Sequence, residues 1–115
     1  MMKLSDHQWE FLQDVAWIIT YAKEMGYKLT GGELYRTEIQ HQYNLANGLS
    51  KAKRSKHQDR LAIDFNLFID GKLITDKTHP AWVDLGKYWE TLNEYNRWGG
   101  NFTSITDPYH FERNI

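Results

Sequence analysis

The chain has 115 residues, 41% of them hydrophobic and 25% charged, enough for one globular core and too few for two. Its net charge of −1 gives no global field for nucleic acid or a membrane surface, and no run approaches the ~20 apolar residues of a membrane span. There is no cysteine, so disulfides and thiolate metal sites are excluded, and any metal must be held by histidine and carboxylate.

Met1-Met2-Lys3-Leu4-Ser5-Asp6 lacks the basic start and apolar core of a signal peptide. The expectation is a cytoplasmic product without an export signal. Ser5 to Met25 reads as a helix, with Ser5 and Gln8 spaced as a capping box and Leu4 and Trp9 as its staple. Leu12, Val15, Ala16, Ile19 and Ala22 form its apolar stripe, and Gly26 suits the left-handed position that ends it. Tyr27 to Thr30 is a short strand broken by Gly31-Gly32, and Leu34-Tyr35-Arg36 is an extended piece or approach loop. Thr37 to Ala46 reads as a short helix, again with a capping-box spacing between Thr37 and Gln40, ended by Asn47-Gly48.

Residues 48 to 60 are a basic, polar connection containing Lys51, Lys53, Arg54, Lys56 and Arg60 against the single acid Asp59. Such a run is usually a solvated loop. Its functional alternative is a rim that attracts an acidic substrate. No aromatic residues interleave the charges as base stacking would need, so nucleic-acid binding is not expected. Leu61 to Ile69 alternates strictly, with Leu61, Ile63, Phe65, Leu67 and Ile69 on one face and Ala62, Asp64 and Asn66 on the other. Asp70-Gly71 makes a hairpin turn to the return strand Lys72 to Thr75.

Pro80 opens the third helix, which runs to about Tyr95 with the stripe Ala81, Trp82, Leu85, Tyr88, Trp89 and Leu92. Trp98 to Phe102 is a strand or bend needing close backbone approach at Gly99-Gly100. Trp98 itself belongs to the core or to a cleft wall. If residues 109 to 112 are extended, His110 and Glu112 share a face. The order is helix, strand, helix, hairpin, helix, strand: an α+β fold with a small, mainly antiparallel sheet and about three helices.

The chemistry gathers in two places, Ser55-Lys56-His57 to Asp64 and Asp107-Pro108-Tyr109-His110. A catalytic zinc takes three protein ligands and keeps one position open. His57, Asp64 and His110 are the candidate ligands, with Asp107 as the nearby carboxylate that moves the proton. Neither spacing is specific alone. Each histidine read singly is an ordinary loop residue, Asp64 is a solvent-facing carboxylate or a partner of Lys72 across the hairpin, and Asp107 is a turn former before proline. His41 is the rival third ligand. Glu112 is either a hydrogen-bond partner of a ligand histidine or simply exposed.

Taken together, these residues resemble a known family. Tyr35-Arg36-Thr37 with Gln40, Ser55-x-His57-x6-Asp64 with Leu61-Ala62, Trp98-Gly99-Gly100 and Asp107-x2-His110-Phe111-Glu112 look like the zinc peptidases that include D-alanyl-D-alanine carboxypeptidases, vancomycin-resistance dipeptidases and phage L-alanyl-D-glutamate endolysins. The resemblance covers roughly Leu29 to Glu112. It implies a fold of the hedgehog and DD-peptidase type, a single catalytic domain over residues 1–115, and one zinc per chain on His57, Asp64 and His110. It further implies Asp107 as general base, Arg36 orienting the substrate or polarising its carbonyl, and Ser55 and Gln40 contacting substrate. Two positions depart from the family's usual pattern: Arg60 or Asp59 stands where glycine is common, and Asp107 stands where many members have glutamate, which is closer to the endolysin branch.

The function implied is hydrolysis of a peptide bond in the peptidoglycan stem peptide, as an L-alanyl-D-glutamate endopeptidase of a phage or prophage released to the wall by a separate protein. D-alanyl-D-alanine carboxypeptidase activity is the nearest alternative. A catalytically inactive, zinc-stabilised wall-binding module is the non-enzymatic one. Iron(II) oxygenases also use two histidines and a carboxylate, but with His-x-Asp on a many-stranded jelly roll. The expected partner is the stem peptide, with no nucleic acid and no membrane insertion, and the expected state is a monomer.

Overall fold

A computed structural model describes all residues 1–115. Three helices, α1 (Leu4–Met25), α2 (Glu38–Ala46) and α3 (Pro80–Leu92), accompany five strands: β1 (Lys28–Gly31), β2 (Ala62–Ile69), β3 (Lys72–Leu73), β4 (Asn96–Trp98) and β5 (His110–Arg113). Every strand pairing is antiparallel, in the order β1-β2-β5-β4, with β3 folded back on the far end of β2. The expected α+β architecture is present. No helix is long and apolar enough to cross a membrane.

β2 is the axis of the fold. Its alternation sends Leu61, Ile63, Phe65 and Leu67 into the core with Phe111 of β5, and α1 and α3 close over them. Trp89 of α3 meets Phe11 and Phe111 edge to face, with ring centroids 5.5 and 5.8 Å apart. The other face of β2 is left to Asp64 and Asn66, both half-buried. At the hairpin, Asp70 and Gly71 take φ of 51° and 78°, as a two-residue turn matched to the strand twist requires. β3 is shorter than expected. Lys72 pairs with Ile69, so it does not face Asp64 across the hairpin.

The first helix is displaced from its expected packing. Its cap is Lys3, whose amide donates to the Asp6 carboxylate at 2.8 Å. Ser5 lies inside the helix, and the Gln8 side chain instead donates to the Asp59 carbonyl at 2.7 Å. The buried stripe is Phe11, Val15, Ile18 and Ala22. Leu12 and Ile19, expected inside, are about half exposed, and Leu4 and Trp9 form no buried staple. α3 stops at Leu92, short of Tyr95, because Asn93 is fully extended. Its N-cap is His79, whose Nδ1 accepts from the Ala81 amide at 3.0 Å.

Candidate metal centre and cleft

The sheet places two of the three candidate ligands on its polar face. Asp64 of β2 and His110 of β5 are direct cross-strand partners, so their side chains leave the same face side by side. His110 Nδ1 lies 3.3 Å from Asp64 Oδ1. His110 Nε2 donates to Glu112 Oε1 at 2.7 Å, and Glu112 Oε2 is held by Arg97 at 2.8 Å. Glu112 is thus the partner that fixes the imidazole, two residues along the same strand. On the other side of β2, the Asp64 amide donates to the Glu33 carbonyl, and the Gly32 amide to the Asp64 carbonyl, both at 2.8 Å.

His57 comes from a 3-10 turn, Lys56–Asp59, capped by the Ser55 hydroxyl, which accepts from the His57 amide at 3.2 Å. Its side chain is buried. Nδ1 faces the Leu34 carbonyl at 3.0 Å. A carbonyl only accepts, so Nδ1 donates to it, and Nε2 is the nitrogen turned toward Asp64 Oδ1, 3.4 Å away. The donor atoms of His57, Asp64 and His110 therefore converge within 4.8 Å of one another. Both imidazoles have their outer nitrogen anchored on an oxygen, as metal-binding histidines do. Two imidazoles and one carboxylate are a donor set suited to a divalent cation of the zinc type.

The charges fit this arrangement. Burial opposes ionisation of Asp64, but its hydrogen bonds from His110 and His57 outweigh it and hold the carboxyl down at about 2. Burial likewise disfavours charged His110, yet its bonds to Asp64 and Glu112 raise it to about 9. A cation held by the three donors would take the place of a proton on His110 Nδ1, so metal uptake would be coupled to proton release.

Asp107 stands in the same cleft of about 370 Å³. Its carboxylate accepts from the Tyr109 amide at 3.0 Å, closing a tight turn before proline. Burial, and then the charge of Asp64, raise its pKa against the opposing pull of His110. The turn is set by Trp98 and its glycines. The Asp107 amide donates to the Gly99 carbonyl at 2.9 Å, and a Cβ at Gly99 would lie 2.2 Å from the Asp107 carbonyl oxygen. The Trp98 indole is buried in a slot where a Cβ on either Gly86 or Gly100 would strike the ring, at 2.3 and 2.2 Å. Its Nε1 donates to the Pro108 carbonyl at 2.9 Å. Trp98 is therefore core, and the Trp-Gly-Gly motif is what holds the Asp107–His110 turn in place.

Arg36 and Ser55 border the cleft as well. Arg36 is gripped by Glu33, at 2.5 Å through Nη2, and by His41 Nδ1 at 3.2 Å. Gln40 does not reach the cleft: it lies on the exposed side of α2, its side chain donating to Asn44 at 2.8 Å. His41 is fully buried, with Nε2 on the Ala52 carbonyl at 2.9 Å. Both its nitrogens are engaged, which removes it as a rival ligand. Sequence reasoning missed Glu33, whose Oε1 lies 3.5 Å from His57 Nε2. The one signal for it was the Gly31-Gly32 break, which lets the chain run close along Asp64.

Residues 49–113, more than half of the chain, match the family described as D-alanyl-D-alanine carboxypeptidase. The chain belongs to this family. The match takes in all three converging donors and Asp107, but not Arg36. The fold of this chain is similar to that of the solved L-Ala D-Glu endopeptidase ChiX of Serratia marcescens, with a TM-score of 0.72 and 17% identity over 90% of this chain and 77% of that one. No curated protein matches the chain.

Proposed function

We propose that the protein is a zinc peptidase that cuts the stem peptide of bacterial peptidoglycan, with His57, Asp64 and His110 holding the metal and Asp107 as general base. The observation that carries this is the convergence of three donors, both histidines anchored from behind, beside a half-buried carboxylate in one cleft. A zinc ion bound there supplies Lewis acidity, which acidifies water and polarises a carbonyl. Asp107 takes the proton of the attacking water and returns it to the departing amine, a task favoured by a carboxyl raised above its ordinary range. Arg36, fixed by Glu33 and His41, orients the substrate's carbonyl side. Ser55 holds His57 in register through its cap and borders the substrate.

The scissile bond we propose is that between L-alanine and D-glutamate, in the setting of a phage or prophage lysin. The aspartate base and the fold shared with the L-Ala D-Glu endopeptidase ChiX support this. Removal of terminal D-alanine is the second reading, supported by the family's own description. Purified peptidoglycan fragments incubated with and without a chelator, then weighed by mass spectrometry, separate the two. New termini between L-Ala and D-Glu are expected. Loss of terminal D-Ala selects the carboxypeptidase, and no chelator-sensitive change on any wall type overturns both. Elemental analysis that finds stoichiometric iron without zinc overturns the metal assignment.

A further inference from the structure

One wall of the cleft is a single stretch of chain. Residues 49–56 line it, all but Lys53. The stretch has no regular structure before its 3-10 turn, yet it is tied down along its length. The Leu49 and Ser50 amides donate to the Asn44 carbonyl at 2.8 and 3.3 Å. Ala52 is held by His41. Arg36 has only donors to offer, so His41 Nδ1 must accept from it and Nε2 must carry the proton that reaches the Ala52 carbonyl. Ser55 then caps the turn that bears His57.

Five cations border this cleft: Arg36, Lys51, Arg54, Lys56 and Arg97. Four are spoken for. Arg36 pairs with Glu33, Arg54 with Asp59 and Arg97 with Glu112, while Lys56 donates to the Ile115 backbone oxygen at 3.1 Å. Lys51 has no partner in the protein. The cleft's own acids do not answer it: Asp64 and Glu112 are engaged with histidine, and Asp107 with its turn. Ser50, next to Lys51, and Ser55, four residues on, border the same space. One free ammonium with neutral hydroxyls on a fixed wall is the complement of a carboxylate.

We propose that the wall of residues 49–56, with Lys51 as its cation, is a subsite for a free carboxylate of the substrate, and that the protein therefore prefers stem peptides whose D-glutamyl or diamino-diacid carboxyl is free over those in which it is amidated. The proposal rests on the peptidase reading above.

The test uses two synthetic stem peptides identical except for carboxylate against carboxamide. Cleavage is followed in the zinc-loaded protein, and binding in Asp107→Ala protein incubated with zinc. The free-carboxylate peptide is expected to bind about five-fold more tightly, the scale of one solvent-exposed ion pair. The contrast is to appear in KM with little change in kcat, to shrink as salt is raised, to vanish in Lys51→Ala and to reverse in Lys51→Glu. Lys51 is exposed and makes no bond, so neither substitution endangers the fold. Equal binding of the two peptides, or a contrast that survives Lys51→Ala, overturns the subsite. Cleavage without the contrast sinks the subsite alone. The contrast in binding without cleavage of either peptide leaves the subsite standing and sinks the peptidase reading.

Discussion

The two sides of the cleft are built by different means. On the sheet side, Asp64 and His110 stand on paired strands whose opposite face is the hydrophobic core, and Asp107 follows from a turn wedged against Gly99 and Trp98. On the loop side, His57, Ser55 and Lys51 belong to a stretch without strand or helix pairing, held by side chains that reach its backbone: His41 to Ala52, Gln8 to Asp59, Ser55 to His57. The first side is stiff because moving it would disrupt the core. The second is stiff only while a few hydrogen bonds last, each worth about 1 kcal/mol net. Apart from the metal ligand His57, chemistry is expected on the first side and substrate selection on the second.

The largest expected effect lies on the sheet side. Asp107→Ala should lower kcat by about 10²- to 10⁴-fold, the usual contribution of a general base, with zinc content by elemental analysis unchanged. An inactive wall-binding module predicts no functional loss at all. Glu112→Ala should weaken metal binding by about 10- to 100-fold in a chelator competition, since it frees the ring of His110. The matching change on the loop side is His41→Ala. It should raise KM several-fold and cost about 1–3 kcal/mol of stability, by leaving Arg36 and the Ala52 carbonyl without their shared partner, while metal affinity stays as it was. If His41→Ala instead lowers metal affinity as far as Glu112→Ala does, the division between the two sides fails.

Smaller effects concern how the loop side closes. Arg60 follows the 3-10 turn with φ of 56°, a conformation that costs a non-glycine residue about 1 kcal/mol. Its guanidinium lies over the Tyr35 ring at 4.1 Å. Arg60→Ala should lose the stacking, keep the strain and destabilise by about 1 kcal/mol in denaturant titration, whereas Arg60→Gly should be close to neutral. A control outside the cleft is Asp84, which accepts from the hydroxyls of Tyr21 and Tyr27 at 2.6 and 2.7 Å. These bonds, first of all, raise both phenols to about 12. Their stabilising contribution is complete below the ordinary tyrosine value near 10 and is lost as pH rises through 12. Asp84→Asn should flatten that alkaline loss of stability and leave metal affinity untouched.

The same contrast explains what the sequence made legible. A strand with one buried face declares itself by alternation, so β2, and with it the outward turn of Asp64, could be read directly. The Trp98-Gly99-Gly100 motif was visible too, although its reason, a ring slotted between two glycines, is a matter of space. α1 misled because it carries two overlapping stripes. Leu12, Ala16 and Ile19 have as good a helical period as Phe11, Val15 and Ile18, and only the partner ring of Trp89 selects the second. Gln40 was read as part of a capping box because it follows Thr37 by three, and as a substrate contact from the family resemblance. The Thr37 hydroxyl does accept the Gln40 amide, but the Gln40 side chain turns to Asn44. The loop side was opaque for a physical reason: its order comes from long-range side-chain bonds to backbone, which leave no periodicity. His41 and Glu33 could not be placed without the fold, and Arg60 or Asp59, read as standing where glycine is common in the family, pointed to a turn whose left-handed residue, Arg60, only the fold reveals.

The pairing of Asp64 with His110 across β2 and β5 has a consequence for how the chain folds. Slipping this ladder by one residue turns every side chain to the opposite face, burying Asp64 and presenting Ile63 or Phe65 in its place. A divalent cation captured by both strands would stabilise only the native alignment, because ligands favour whichever state can bind them. The metal site would thus proofread the sheet, and molecules that retain the ion would be those assembled in the correct register.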